Sequence, residues 1–336
     1  MYLNITEQAR AIKHSLAALF SREIDTHQRR QRLIDEGFHL LFVPEHAGGF
    51  GAGGSELAAV AAVYGHHRVG AELLHEMICL PLLAEDHSPL VTQPQTPRAV
   101  AWPIDNGLRN EESYHAKLKY VVAGDSAQEV LIPLPVRQAV RPLLLASSKF
   151  NRSEIHRWYN TTSHCDLSIE LHDLGADTSA AMDSRRWGAI LLIAHACCGV
   201  GMAQAVLDLS VRYSAERRQF GQTINAFQAV QHLLAELAAD VEFARSSAHY
   251  AVLLMENDTL TFAAIKALCL QAINRVLSAC KLAIQIHGAI ATTEEYIVGH
   301  YLKDAAMTLS WAEHICRCLP DDALTLDEIL AEVASV

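Results

Sequence analysis

Basic residues are in short supply in this chain. Its 336 residues include 27 Lys and Arg against 38 Asp and Glu, a net charge of −11. A protein that tracks phosphate backbones needs a cationic face, so nucleic acid is not an expected partner. The one dense basic cluster, Arg29-Arg30-Gln31-Arg32, reads as the solvated face of a helix. Aromatic residues are only 7% of the chain, too few for base-stacking platforms. The eight cysteines form no CxxC pair and the 18 histidines form no HExxH, so neither a disulfide framework nor a metal site is expected. His66 and His67 are neighbours and are expected on different faces of a helix. No apolar signal segment opens the chain, so a cytoplasmic location is expected.

Charged residues are 19% and hydrophobic residues 51%, the composition of an ordered globular protein. Trp187–Leu207 runs 21 residues without a charge, long enough to cross a bilayer. It also holds His195, Gln204 and three glycines, and no second such stretch is read elsewhere. It is therefore taken as the central helix of a bundle, covered on all sides, and no membrane association is expected.

The pattern divides the chain into three zones. Residues 1–93 show helical periodicity, as at Ile12, Leu16, Leu19 and Phe20. A Pro-rich joint at Pro89, Pro94 and Pro97 opens a shortened β domain over 94–181. Its strand candidates are Ala99–Trp102, Lys119–Val122, Glu129–Pro133 and Leu167–Leu171. Residues 182–336 are helical again, with amphipathic stretches over Phe227–Ala244 and Phe262–Gly288 and a short candidate at Thr325–Ala334. The fold class is thus mostly α within α+β: helices, a small β domain, then a four-helix bundle.

Gly49-Phe50-Gly51-Ala52-Gly53-Gly54 matches a dinucleotide fingerprint literally. Its surroundings lack alternating strands and helices, so an interhelical loop is the expected reading. A stronger feature is Glu216-Arg217-Arg218-Gln219-Phe220-Gly221, followed by Phe227 and Gln228. It reads either as an anion-binding corner, with a guanidinium fork next to a new helix, or as a helix end decorated with cations. Gln285-Ile286-His287-Gly288, with small residues after it, reads either as a ligand-approach loop or as a plain helix stop.

Taken together, these residues resemble the acyl-CoA dehydrogenase family. The similarity lies in Arg217, Phe220, Gly221, Phe227 and Gln228, in Gln285 and Gly288 with Glu295 and Lys303-Asp304, and in Val43-Pro44-Glu45 with Gly48-Gly49 and Gly51. The resemblance implies FAD and α,β-dehydrogenation of an acyl-CoA thioester, with a carboxylate removing the α-proton. It also implies a flavin site shared between subunits, in which Arg217, Phe220, Gln228, Gln285 and Gly288 reach a neighbour's FAD. The family's flavin-ring motifs of the β domain are not found around Trp102–Gly107 and Tyr120–Gly124. The two positions where members carry the catalytic Glu correspond to Ala312 and Leu191. Glu313 lies one residue away, a rotation of about 100° on a helix. The expectation is a non-catalytic subunit of a heteromeric (α2β2) enzyme of the steroid side-chain type. Its FAD is shared with a second acyl-CoA dehydrogenase-like subunit, in whose site the acyl-CoA binds. The alternatives are a homo-oligomer using Glu313 as base, and a flavin-free binding protein on the same scaffold.

Overall fold

The computed structural model describes residues 6–21, 26–84, 87–101, 108–109, 113–122, 126–136, 139–158, 162–172, 182–257 and 262–318. The Trp102–Gly107 segment, Ala123, Gly124 and the Thr325–Ala334 candidate helix lie outside the described residues.

The N-terminal layer holds α1 (Glu7–Phe20), α2 (Thr26–Asp35), two 3-10 turns (Phe38–Leu40, Glu45–Ala47) and α3 (Gly54–His66). It continues through α4 (Ala71–Leu74), a π-helical turn (His75–Cys79), α5 (Leu80–Leu83) and α6 (Ser88–Thr92). Thr6 caps α1 by accepting from the Ala9 N–H at 2.9 Å. At α3, Glu56 accepts from the Gly53 N–H at 3.2 Å, and Glu256 accepts from the Gly54 N–H at 2.7 Å. Two carboxylates thus face the positive end of this helix, one of them from the bundle. The glycine-rich stretch is an interhelical loop after a 3-10 turn, with no strand before it. A Cβ on Gly49 would stand 2.1 Å from the Val43 carbonyl oxygen, so packing against the loop's own backbone demands that glycine.

The middle layer is built from β1 (Arg98–Val100), β2 (Leu108–Arg109), β3 (Ser113–Val122), β4 (Glu129–Val136), β5 (Ala139–Ala146), β6 (Phe150–Trp158), β7 (Thr162–His172) and β8 (Met182–Asp183). They form two four-stranded sheets, ordered β1-β4-β5-β8 and β2-β3-β7-β6. Only the β1–β4 pairing is parallel within these sheets. A small core of its own, including Ala99, Val121, Val130, Ile132, Phe150 and Leu167, serves this layer.

The C-terminal layer is α7 (Ser184–Glu216), a hairpin of β9 (Arg218–Gln219) and β10 (Gln222–Thr223), α8 (Gln228–Asn257), α9 (Phe262–His287) and α10 (Ile297–Cys318). Trp187–Leu207 lies inside α7, and 89% of that helix's most apolar window is buried. One correction follows: α9, with the 3-10 turn after it, is a second helix apolar and long enough to span a bilayer. Only 39% of its window is buried. Six cysteines among the described residues are free and buried, and desolvation raises the thiols of Cys79, Cys197, Cys198, Cys269 and Cys280, that of Cys197 to about 12. They act as small hydrophobes.

The basic run on α2 also needs correcting. Arg30 is buried, not solvated. Its Nε and Nη2 donate to the two Glu76 oxygens at 2.8 and 2.7 Å, and the guanidinium also reaches the carbonyls of Pro94, Gln95 and Thr96. It ties α2 to the π-helical turn and to the Pro-rich joint.

Candidate functional site

Two of the sequence motifs meet at one end of the bundle. α7 stops at Glu216, and the β9–β10 hairpin turns through Phe220 and Gly221, both left-handed at φ 50° and 83°. Consecutive positive φ values suit a two-residue hairpin, yet Phe is a costly residue to hold there. Phe220 is 93% exposed and meets Phe227 edge-on, with ring centres 6.2 Å apart. The Arg217 side chain is exposed, and its guanidinium makes no hydrogen bond or ion pair among the described residues. Gln228 opens α8 and is exposed.

α9 ends at His287, and Gly288 follows at φ 69° with open space around the position of a Cβ. That glycine is required by its left-handed backbone, as at many helix ends. Gln285 and Gly288 are exposed, whereas His287 is buried between them. The His287 ring stacks on Tyr213 at 4.4 Å, and the Tyr213 hydroxyl donates to the His287 carbonyl at 3.3 Å. Tyr213 lies one helical turn before Arg217 and its carbonyl accepts from the Arg217 N–H. The Tyr213–His287 stack therefore links the Arg217 corner to the Gln285–Gly288 turn. All five residues, Arg217, Phe220, Gln228, Gln285 and Gly288, face outward at or near this end. An unpaired guanidinium, two primary amides and an exposed ring suit a pyrophosphate and an aromatic ring system. As an open surface, they need a second wall.

The positions matching the family's base are apolar and buried. Leu191 lies on α7 and Ala312 on α10, both fully covered. Glu313 points outward, with 51% of its side chain exposed, 3.9 Å from Arg317. Asp304 is held by Arg68 at 2.6 Å, which joins α10 to the end of α3.

A buried histidine pair beside these positions escaped the sequence reading. His195, one turn after Leu191, meets His75 of the π-helical turn with Nε2 atoms 2.9 Å apart. Trp311, next to Ala312, packs on both rings at 5.2 and 4.7 Å. One imidazole donates its Nε2–H and the other accepts at Nε2, which satisfies both facing nitrogens. Burial pushes the His195 pKa down to about 4. Its unfolded value lies near 6.5, so the unfolded chain binds more protons between these limits. Stability should be fully present above about pH 6.5 and fall as pH drops towards about 4. Thermal melts from pH 7 to 4 should show this loss, and His195→Gln should flatten its slope; an unchanged slope in that variant would assign the loss to other groups.

Residues 192–312 match the family model described as acyl-CoA dehydrogenase, C-terminal domain. Glutaryl-CoA dehydrogenase of Desulfococcus multivorans is 33% identical over 140 residues, 41% of this chain and 35% of that protein. Several curated relatives are matched over only about a third of their own length. Acyl-CoA dehydrogenase IpdE2 of Mycolicibacterium smegmatis is 27% identical over 311 residues, covering 88% of this chain and 87% of IpdE2. Among solved structures, butyryl-CoA dehydrogenase from Megasphaera elsdenii superposes with a TM-score of 0.77 at 16% identity, over 95% of this chain and 98% of that one. A Tcur3481-Tcur3483 steroid ACAD variant does so with a TM-score of 0.70 at 19% identity, over 99% and 98%. The chain has the acyl-CoA dehydrogenase fold, and residues 192–312 of its bundle resemble that family's C-terminal domain. The sequence likenesses are to acyl-CoA dehydrogenases, and the structural likeness is one of fold.

Proposed function

We propose that this chain is the non-catalytic subunit of a heteromeric, FAD-dependent acyl-CoA dehydrogenase, an α2β2 assembly working in the cytoplasm. Its role is to lend Arg217, Phe220, Gln228, Gln285 and Gly288 to the flavin site of its partner. The observation that carries this reading is the outward-facing corner at the end of α7. There an unpaired Arg217 and a nearly fully exposed Phe220 stand in a strained hairpin, linked through Tyr213 and His287 to the Gln285–Gly288 turn. Residues held in this way and left uncovered by the described residues suit a ligand bound mostly by another chain. The absence of a carboxylate at Leu191 and Ala312, and the outward Glu313, support assigning proton abstraction to the partner.

Bound FAD supplies the two-electron acceptor for α,β-dehydrogenation of an acyl-CoA. Arg217 would neutralise pyrophosphate charge through its planar fork, Phe220 would cover an apolar face, and the two glutamines would fix orientation by hydrogen bonding. The fold shared with a protein described as a steroid ACAD is the support for a bulky, steroid-derived acyl group as the substrate.

The chain purified alone should be colourless and should turn yellow when co-purified with its partner. Hydrogen bonds between charged groups are worth about 1.5–3 kcal/mol, so Arg217→Ala should weaken flavin retention in the complex by roughly tenfold or more. Arg218, whose Nη2 lies 3.4 Å from the Gly221 carbonyl, is the control and should tolerate Ala. Unchanged flavin affinity in Arg217→Ala would reduce this residue to a helix-end cation. One flavin per chain in the isolated protein would sink the subunit reading.

A further inference from the structure

A cavity of about 320 Å³ opens between α1, α3, α7 and α8, on residues distinct from the candidate flavin corner. Its volume falls at the lower end of the roughly 300–1,000 Å³ typical of small-molecule sites. Small apolar side chains line much of it, among them Ala58, Ala59, Ala62, Val63, Val200 and Val252. Such a lining leaves room for an apolar body and gives it nothing to hydrogen-bond.

The polar side chains around it are mostly nitrogen donors. His66 and Gln204 both engage Asp208, at 3.3 and 2.8 Å, and Arg245 donates to the Gln204 amide oxygen at 2.6 Å. The lining carboxylate is therefore already occupied, and so is Arg245. Lys13, His67 and His249 also line the cavity and make no hydrogen bond among the described residues. Burial is the main cause that pushes His67 and His249 below the usual histidine range. Near neutral pH they are thus neutral, each with one N–H to donate, while Lys13 supplies the free positive charge. His66 and His67 were expected on different helix faces. His67 lies just past the end of α3, where helical geometry no longer sets its direction, and both rings reach this cavity 5.0 Å apart.

We propose that this cavity is a second ligand site, which takes a small amphiphile with an apolar body and a carboxylate head. The apolar body lies on the alanine and valine lining, and the head is received by Lys13 with hydrogen bonds from His67 or His249. The charge pattern selects the anion: the one lining carboxylate is occupied and the one free formal charge is positive. This site does not depend on the flavin reading, since none of its lining residues belongs to that corner.

Sodium octanoate, 1-octanol and octylammonium are the probes, titrated calorimetrically into the full chain. Octanoate is expected to bind saturably, octanol more weakly and octylammonium not measurably. Lys13→Gln should weaken octanoate at least about tenfold while leaving octanol unchanged, because only the carboxylate head draws on the ammonium. Ala59→Leu, which fills the cavity, should abolish binding of both; a melting temperature equal to wild type would show that the variant is folded. If it unfolds, Ala62→Val is the substitute. No saturable octanoate binding to the wild-type chain overturns the proposal. Equal affinity for octanoate and octanol overturns the carboxylate head, and binding that survives in the folded filling variant overturns the site.

Discussion

Arg30→Ala should destabilise the chain by about 3–5 kcal/mol, the scale for removing one partner of a buried ion pair. The side chains of Arg30 and Glu76 are only 11% and 10% exposed, and their contact is bidentate. Removing the guanidinium leaves the Glu76 carboxylate with the Arg98 N–H, at 3.1 Å, as its remaining donor among the described residues. It also strips a donor from the carbonyls of Pro94, Gln95 and Thr96. The penalty therefore combines an unbalanced charge with unpaired acceptors. Urea unfolding should show a lower midpoint with an unchanged slope. Arg30→Ala combined with Glu76→Gln should recover part of the loss, because the stranded charge is gone. Arg32→Ala, on the same helix without such a clamp, should stay within about 0.5 kcal/mol. If the two single variants cost the same, Arg30 is an ordinary surface cation.

This pair also marks where the sequence stopped being informative. Local periodicity located α7, α8 and α9, because an apolar stripe reports a covered face whatever covers it. Parts of β1, β3, β4 and β7 showed in the same way, since short apolar runs between turn residues need no knowledge of their neighbours, whereas β5 and β6 went unread. The Arg217–Gly221 corner was visible because its residues are contiguous. Arg30 and Glu76 are 46 positions apart, and a run of Arg looks the same whether water or a carboxylate faces it. His75 and His195 are 120 positions apart, and each alone is an unremarkable histidine in an apolar stretch. α9 holds charged residues such as Lys266 and Arg275, yet its most apolar stretch is long enough to span a bilayer. In each case the missing information was a long-range contact or a whole-helix average.

Gly65→Ala and Gly201→Ala should each cost about 3 kcal/mol or more, although mid-helix propensity alone favours alanine by about 1 kcal/mol. Both glycines sit where α3 crosses α7, and they do so reciprocally. A Cβ on Gly65 would lie 1.8 Å from the Cys198 carbonyl oxygen, and one on Gly201 would lie 1.8 Å from the Ala62 carbonyl oxygen. Beyond those two carbonyl groups come the Met202 nitrogen at 3.1 Å and the His66 nitrogen at 2.8 Å. All four neighbours are backbone atoms, so no rotamer change can make room. The helices would have to move apart along a packed interface, and interiors at crystal-like density resist that. Gly199→Ala is the internal control. Its new Cβ would meet only the Val276 side chain, at 3.1 Å, which can turn, so helix propensity should win and stability should hold or rise. The clash has a second consequence, because Ala62, His66 and Gly201 also line the proposed amphiphile cavity. Any folded fraction of Gly201→Ala should therefore bind octanoate with altered affinity, whereas Gly199→Ala should bind like wild type. Thermal and urea unfolding of the three variants decide the matter: equal stability across them would mean that α3 and α7 do not meet through these two glycines.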